Sequence, residues 1–282
     1  MALEDDFSDI IKKARQGQGL SLGDVAYRCG VPAGELSVLE RGGRKPTEPE
    51  VQGLASALGL RAGPLADIAL KDWLPRPSPL LMMVVTIHGD IGGYAVKGYV
   101  LSDEQSKDAI VIDTGYNSRA TIETLQRIGL RLTGLCLTHG HADHAGGMDE
   151  ILQRWPVPVF LGKQDTGMLS WRPPQRLLVS PEDGQPIPVG RFTVRCITTP
   201  GHTPGGMCYR VEGGDYDLCF VGDTLFAGSI GRANPPSLYP EHLQSVRRRV
   251  LTLPADAVLL PGHGPGTTVG EELAHNPFGA GP

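Results

Sequence analysis

"LCLTHGHADHAGG" (residues 135–147) sets His139, His141, Asp143 and His144 within six positions, directly after a short apolar run. The run has the length and composition of a strand, so the cluster begins where a strand gives way to a Gly-rich loop. Imidazoles and a carboxylate are the donors that zinc or non-haem iron prefers. Four donors on one loop cannot close a catalytic site by themselves, so partners must come from elsewhere in the chain.

Three further strand ends supply them. "TPGHTPGG" (199–206) offers His202, "VGDTLF" (221–226) offers Asp223, and "LPGHGPG" (260–266) offers His263. Each follows an apolar, strand-like run and lies among glycines or small residues, which let backbone and ions approach closely. Groups set at strand ends are held by a rigid sheet yet exposed in the loops beyond it. These side chains are too many for one tetrahedral ion. They suit two ions sharing a carboxylate, with positions left for water and substrate. Asp223 is the natural bridge, because each carboxylate oxygen can face one ion. His88, His242 and His275 have no donor neighbours in sequence and read as structural or surface residues.

Around this centre the chain has an ordinary composition. Its 282 residues are 40% hydrophobic and 20% charged, with a formal net charge of −5. That balance argues against bulk electrostatic binding to nucleic acid or acidic lipid. The longest apolar run, "PLLMMVVTI" (79–87), has strand length rather than membrane-span length. Cys29, Cys136, Cys196, Cys208 and Cys219 are odd in number and form no C-x-x-C pair, which suits buried reduced thiols. A soluble cytoplasmic protein with no membrane partner is expected.

Composition changes at "LPRPSPL" (74–80), a Pro-rich stretch that reads as a semi-rigid linker. It divides residues 1–73 from residues 81–282. The closing "FGAGP" (278–282) reads as a loose tail. Before the linker the pattern is helical. Phe7, Ile10, Ile11 and Ala14 recur at helical spacing, and "SLGD" (21–24) supplies a capping box for a second helix that ends at Gly30. A third short helix runs from about Pro32 to Glu40, and "TEPE" (47–50) opens a fourth. Residues 14–60, "ARQGQGLSLGDVAYRCGVPAGELSVLERGGRKPTEPEVQGLASALGL", resemble the Cro/C1-type (XRE) helix-turn-helix family over about residues 6–70. The resemblance implies that the helix near 32–40 enters a DNA major groove, with Ser37, Arg41, Arg44 and Lys45 as contacts. The presumed reading face also carries Ala33, Gly34 and Glu35, and Leu22 stands where the family often has a polar residue. Residues 1–74 hold nine Lys/Arg against eleven Asp/Glu, so a protein-docking or dimerisation module is the competing role. Because such domains often pair, a homodimer is expected.

After the linker, strand-like and helical runs alternate. The "THGHADH…PGH…GD…PGH" series resembles the metallo-β-lactamase superfamily over about residues 80–278. The resemblance implies an α/β fold, the αββα sandwich, here with a small all-α domain at the N-terminus. It implies one metal at His139, His141 and His202 and a second at Asp143, His144 and His263, with Asp223 bridging. The ions would be two divalent metals, zinc first, iron or a mixed zinc/iron pair otherwise. Such a pair generates a hydroxide nucleophile at neutral pH and polarises the carbonyl it attacks, with Asp143 placed to orient the water or shuttle its proton.

"GDTLFAGSIGRAN" (222–234) and "LLPGHGPGTTVGEELAHNPF" (259–278) look like the glyoxalase II-like branch. That branch implies hydrolysis of a thioester or ester, with Arg232 pairing with a substrate carboxylate. Asn234 stands where the branch usually has an acid, and no Tyr follows His263. A sister branch implies the alternative of a mononuclear-iron persulfide dioxygenase, in which Asp143, His144 and His263 would not bind metal. A metabolite-sensing DNA-binding regulator is the third reading. Residues 88–108 and 162–190 are read as loops that shape the pocket.

Overall fold

The computed structural model describes residues 2–77, 79 and 81–279. Five helices come first: α1 (Phe7–Gly17), α2 (Leu22–Cys29), α3 (Ala33–Leu39), α4 (Glu48–Leu58) and α5 (Ala62–Lys71). Their ends follow from side-chain chemistry. The Asp6 carboxylate accepts from the backbone N–H groups of Ser8 and Asp9, and Ser21 and Asp24 cap each other at the start of α2. The α2 helix stops at Gly30, whose φ of 75° places it in the left-handed region that a Cβ disfavours. Pro32 takes the capping position of α3 rather than its first turn. Phe7, Ile10, Ile11, Val25, Leu36, Leu39, Val51 and Leu54 turn inward as one core. The expected linker 74–80 includes Ser78 and Leu80, which lie outside the described residues.

The first sheet then forms from β1 (Val84–Ile91), β2 (Tyr94–Ser102), β3 (Asp108–Ile112), β4 (Arg131–Cys136), β5 (Val159–Phe160) and β6 (Leu178–Val179), in that spatial order. Strands β1 to β3 are antiparallel; β3 to β6 run parallel. Between them lie α6 (Ser118–Ile128), α7 (Ala142–Ala145) and α8 (Met148–Arg154). The second sheet is β7 (Pro186–Val189), β8 (Phe192–Thr198), β9 (Met207–Glu212), β10 (Leu218–Gly222), β11 (Val258–Pro261) and β12 (Thr267–Thr268), with α9 (Tyr239–Ser245) and α10 (Val269–His275). Only β10 and β11 pair in parallel there.

The sheets face each other across Tyr99, Leu101, Ile110, Phe192, Tyr209 and Phe220. Helices α6 and α8 cover the outer face of the first sheet with Ile122, Leu125, Ile151 and Leu152. The outer face of the second joins the helical region's core through Val221, Leu225, Tyr239, Val246 and Phe278. This is an αββα sandwich with a helix-turn-helix region set against one flank. Strands β3 and β10 are almost wholly buried because both faces of each sheet are covered.

Two expectations need correction. Residues 88–108 are not a loop: they are the end of β1, the whole of β2 and the turn into β3. Lys97 and two glycines obscure the apolar run there. Lys97 is nonetheless buried and donates from Nζ to Gly264 O at 2.5 Å. The tail reading also fails at Phe278, which is fully buried while its carbonyl accepts from Arg247 Nε at 2.8 Å. Ala280–Pro282 lie outside the described residues.

Polar contacts tie the helical region to the sandwich as well. Lys13 Nζ donates to Ile230 O (3.0 Å), Ser229 Oγ to Asp5 (2.6 Å), and Arg61 reaches Leu273 O at 2.7 Å. Trp73 stacks on His275 at 4.9 Å, and His275 in turn meets Asp67 at 3.1 Å. Among the described residues no helix is long and apolar enough to cross a membrane.

Candidate metal centre

Parallel pairing brings the strand ends to one edge of the sandwich. Gly222 sits opposite Pro261, so Asp223 and His263 leave β10 and β11 side by side. Ile112 sits opposite Cys136, so Asp113 leaves β3 beside the loop that starts at Thr138. The turn at 138–144 is then pinned from both sides. Thr114 N–H donates to His144 O at 2.7 Å, and the buried Asp165 accepts from Gly140 N–H (3.2 Å), Thr203 Oγ1 (2.6 Å) and Gly205 N–H (2.7 Å). Asp165 thereby fastens the His139–His141 turn to the His202 loop.

All seven expected donors meet in one place. Donor atoms of His139, His141 and His202 lie within 4.8 Å of one another, as do those of Asp143, His144 and His263. A third group, His139, His144 and Asp223, lies between them. Asp223 Oδ1 is 3.3 Å from His144 Nε2, and its Oδ2 is 3.6 Å from both His202 Nε2 and His263 Nε2. Asp143 Oδ2 stands 3.3 Å from His263 Nε2.

The outward-facing nitrogens decide which lone pairs face in. His202 Nδ1 donates to Arg232 O at 2.8 Å and His263 Nδ1 to Ala95 O at 2.7 Å. His144 Nδ1 meets Asp113 Oδ2 at 2.8 Å. His139 Nδ1 meets Thr138 Oγ1 at 3.0 Å, and that hydroxyl donates onward to the same Asp113 oxygen. These contacts leave Nε2 of four imidazoles as acceptors toward the centre. His141 presents Nδ1 instead, 3.1 Å from His202 Nε2.

Inside, His139 Nε2 and Asp223 Oδ1 are buried and have no hydrogen-bond partner among the described residues, an arrangement that is costly unless a cation takes the lone pairs. Gly262 keeps the space open, since a Cβ there would fall 2.7 Å from Asp223 Oδ1. The electrostatics are divided: against the cost of burial, Asp223 and its fellow carboxylates draw His144 well above the usual histidine range and lift His263 to about 9, so a bound ion must displace those protons. Burial, reinforced by the neighbouring imidazoles, holds His139 well below the usual histidine range, and burial takes His202 down to about 4, so both stay neutral. Burial alone would raise Asp223, but His144 and His263 outweigh it and keep the carboxylate ionised. The donor set therefore fits divalent ions.

The comparisons agree with this geometry. The metallo-β-lactamase superfamily model matches residues 92–263, and a helix-turn-helix model matches residues 11–65. The chain belongs to the metallo-β-lactamase superfamily. The "Probable metallo-hydrolase YqgX" of Bacillus subtilis is 34% identical over 197 residues, 64% of this chain and 90% of that one. "Hydroxyacylglutathione hydrolase GloC" of Haemophilus influenzae is 30% identical over 190 residues, 62% and 89% of the two chains. The crystal structure of TTHA1623 in a di-iron-bound form superposes with a TM-score of 0.55 at 30% identity, covering 68% of this chain and 99% of that one. This superfamily member is a metallo-β-lactamase-fold hydrolase with a helix-turn-helix region at its N-terminus, and its likeness to a hydroxyacylglutathione hydrolase supports the glyoxalase II-like branch.

The structure separates the remaining candidates. Arg232 is exposed and has no ion-pair partner among the described residues, and it lies on the wall of a cleft of about 710 Å³ onto which His141 and His202 open. Neither 88–108 nor 162–190 lines that cleft; α1 and residues 232–236 do. In the helical region Arg44 is held by Glu50 (2.5 Å) and Glu35 (3.1 Å), Lys45 is 3.6 Å from Asp72, and Arg41 donates to Ser37. His242 is buried with Nε2 on Thr224 O at 2.9 Å, and His88 pairs with Lys97 along the β1–β2 ladder. Asp113, Asp165 and Lys97 are absent from the expectations above. Asp113 alone carried a signal, an acid closing the apolar "AIVI" run before a Gly turn.

Proposed function

We propose that His139, His141 and His202 hold one divalent ion, that Asp143, His144 and His263 hold a second, and that Asp223 lies between them. On this reading residues 81–282 form the hydrolase domain, joined by residues 74–80 to the helix-turn-helix domain of residues 1–73. The carrying observation is that two buried atoms without a hydrogen-bond partner among the described residues, His139 Nε2 and Asp223 Oδ1, face one centre. Two ions bound there would supply an activated water nucleophile and polarise an acyl carbonyl. The reaction is hydrolysis of a thioester or ester, and the likeness to a hydroxyacylglutathione hydrolase supports the thioester. Zinc suits the imidazole-rich donor set, and iron or a mixed pair is the alternative.

The protein's own groups prepare the site for that chemistry. Asp143 is partly exposed beside the centre, where its carboxylate can orient water and pass a proton to the leaving group. Arg232, carried on the segment that also accepts from His202, is placed to bind a substrate anion. The convergence of Asp143, His144 and His263 favours two ions over the single iron of a persulfide dioxygenase. DNA binding through Ser37, Arg41, Arg44 and Lys45 ranks lower, because carboxylates of the same region engage Arg44 and Lys45.

The test is metal analysis combined with a panel of thioesters, esters and glutathione persulfide. About two ions per chain and thioester turnover are expected. His141→Ala should lose close to one ion per chain and at least 100-fold in kcat while keeping its circular dichroism. One iron per chain with oxygen uptake on persulfide would overturn the reading.

A further inference from the structure

The cleft that opens onto His141 and His202 has one wall from the sandwich and the other from the helix-turn-helix region. The sandwich wall is Arg232 and Asn234. The opposite wall is α1, through Lys13, Gln16 and the turn to Leu20. On α1 Lys13 and Gln16, three positions apart, lie on one face and Ile10, Ile11 and Ala14 on the other, and the turn that follows the helix carries Leu20 to the same cleft. The helix buries its apolar face and offers its polar face to the cleft. At about 710 Å³ the space falls within the roughly 300–1,000 Å³ of small-molecule sites.

This wall is built in place. Lys13 donates to Ile230 O, Gly231 N–H donates to Asp223 O at 3.1 Å, and Asn234 N–H donates to His202 O at 3.0 Å. One short segment thus touches α1 on one side and two expected metal donors on the other. Tyr239 packs directly on Gly17, so α1 cannot shift away without opening a continuous apolar core. The charges facing the cleft are uneven. Lys13 is paired with Asp5 and Arg15 with Glu40, which leaves Arg232 without a paired carboxylate among the described residues. Gln16 adds a neutral amide that can donate as well as accept.

We propose that α1 is the second wall of the substrate site, so that an acyl compound with an anionic arm is held between Gln16 and Arg232. The helix-turn-helix region then serves this chain as a specificity element of the hydrolase. The inference rests on the metallohydrolase reading for the position of the reacting carbonyl.

Two substitutions in the full chain test it. Gln16→Trp fills the cleft, and Gln16→Glu opposes an anion with almost no change in volume. With S-lactoylglutathione (carboxylate arm) and acetyl-coenzyme A (phosphate arm), each should raise KM at least tenfold with kcat within about threefold. The neutral thioester S-acetyl-N-acetylcysteamine should respond to Gln16→Glu by less than threefold. The preferred anionic thioester identifies the arm. Tyr27→Ala, exposed on the same region away from the cleft, is the control and should match the parent throughout.

A binding arm needs no turnover. Calorimetry with S-methylglutathione, a non-hydrolysable thioether, should show affinity falling at least tenfold in Gln16→Glu. If no thioester is cleaved but this loss is seen, the hydrolytic reading fails and the wall stands. If thioesters are cleaved and neither KM nor thioether affinity responds to either substitution, the wall is overturned. Absence of S-methylglutathione binding by the parent, with KM unmoved, overturns it equally.

Discussion

Asp113 illustrates how much of the centre rests on a residue outside it. Its Oδ2 accepts from both His144 Nδ1 and Thr138 Oγ1, and Thr138 Oγ1 in turn receives His139 Nδ1. One buried carboxylate therefore orients an imidazole assigned to each ion. In Asp113→Asn, an amide nitrogen in place of Oδ2 would face two donors. Zinc affinity should fall roughly 10–100-fold, measured by competition with a chromophoric chelator, while the fold is retained. Unchanged affinity would show that Asp113 serves the turn and not the histidines.

At the scale of elements, strand ends carry the chemistry and a short helix carries a titration. Helix α10 places Glu272 where Gly228 N–H, Asn276 Nδ2 and Thr267 Oγ1 donate to it. Burial nevertheless pushes its carboxyl up to about 7 from 4.5. Because the folded value is the higher one, this group stabilises the fold fully below pH 4.5, and that contribution is lost as the pH rises through 7. Its size is on the order of 3 kcal/mol. Glu272→Gln keeps the acceptor and the shape, so its melting temperature should fall less than the parent's between pH 4.5 and 7. Parallel profiles would remove Glu272 as the cause. The same helix explains why the tail reading failed. Phe278 looks dispensable after a run of turn residues, but α10 leads it back into the core between the sandwich and the helical region.

For the whole molecule, the decisive feature is that one apolar core runs from Phe7 and Leu54 through Val221 and Leu225 to Phe278. A Pro-rich connection suggests two units that melt separately. A shared core argues for a single cooperative unit, since neither side can unfold without exposing the other. Calorimetry of the metal-stripped chain should give one transition with matching calorimetric and van't Hoff enthalpies. Two resolved transitions would mean that the interface contributes little.

The sequence by itself determined the local features. Capping boxes, helical spacing, the strand-end histidines and the glycines around them follow from short-range sterics and hydrogen bonding, and all are legible within a few residues. The donor residues could be named for that reason, each marked by a motif at the end of an apolar run. The tertiary structure decided what lies far apart in sequence. Asp113, Asp165 and Lys97 act only through contacts with loops elsewhere in the chain, and Lys97 hid a buried strand behind a charge. The cleft wall was the least legible part, because α1 stands well over a hundred residues from His141 and reaches it only through the packing of its apolar face.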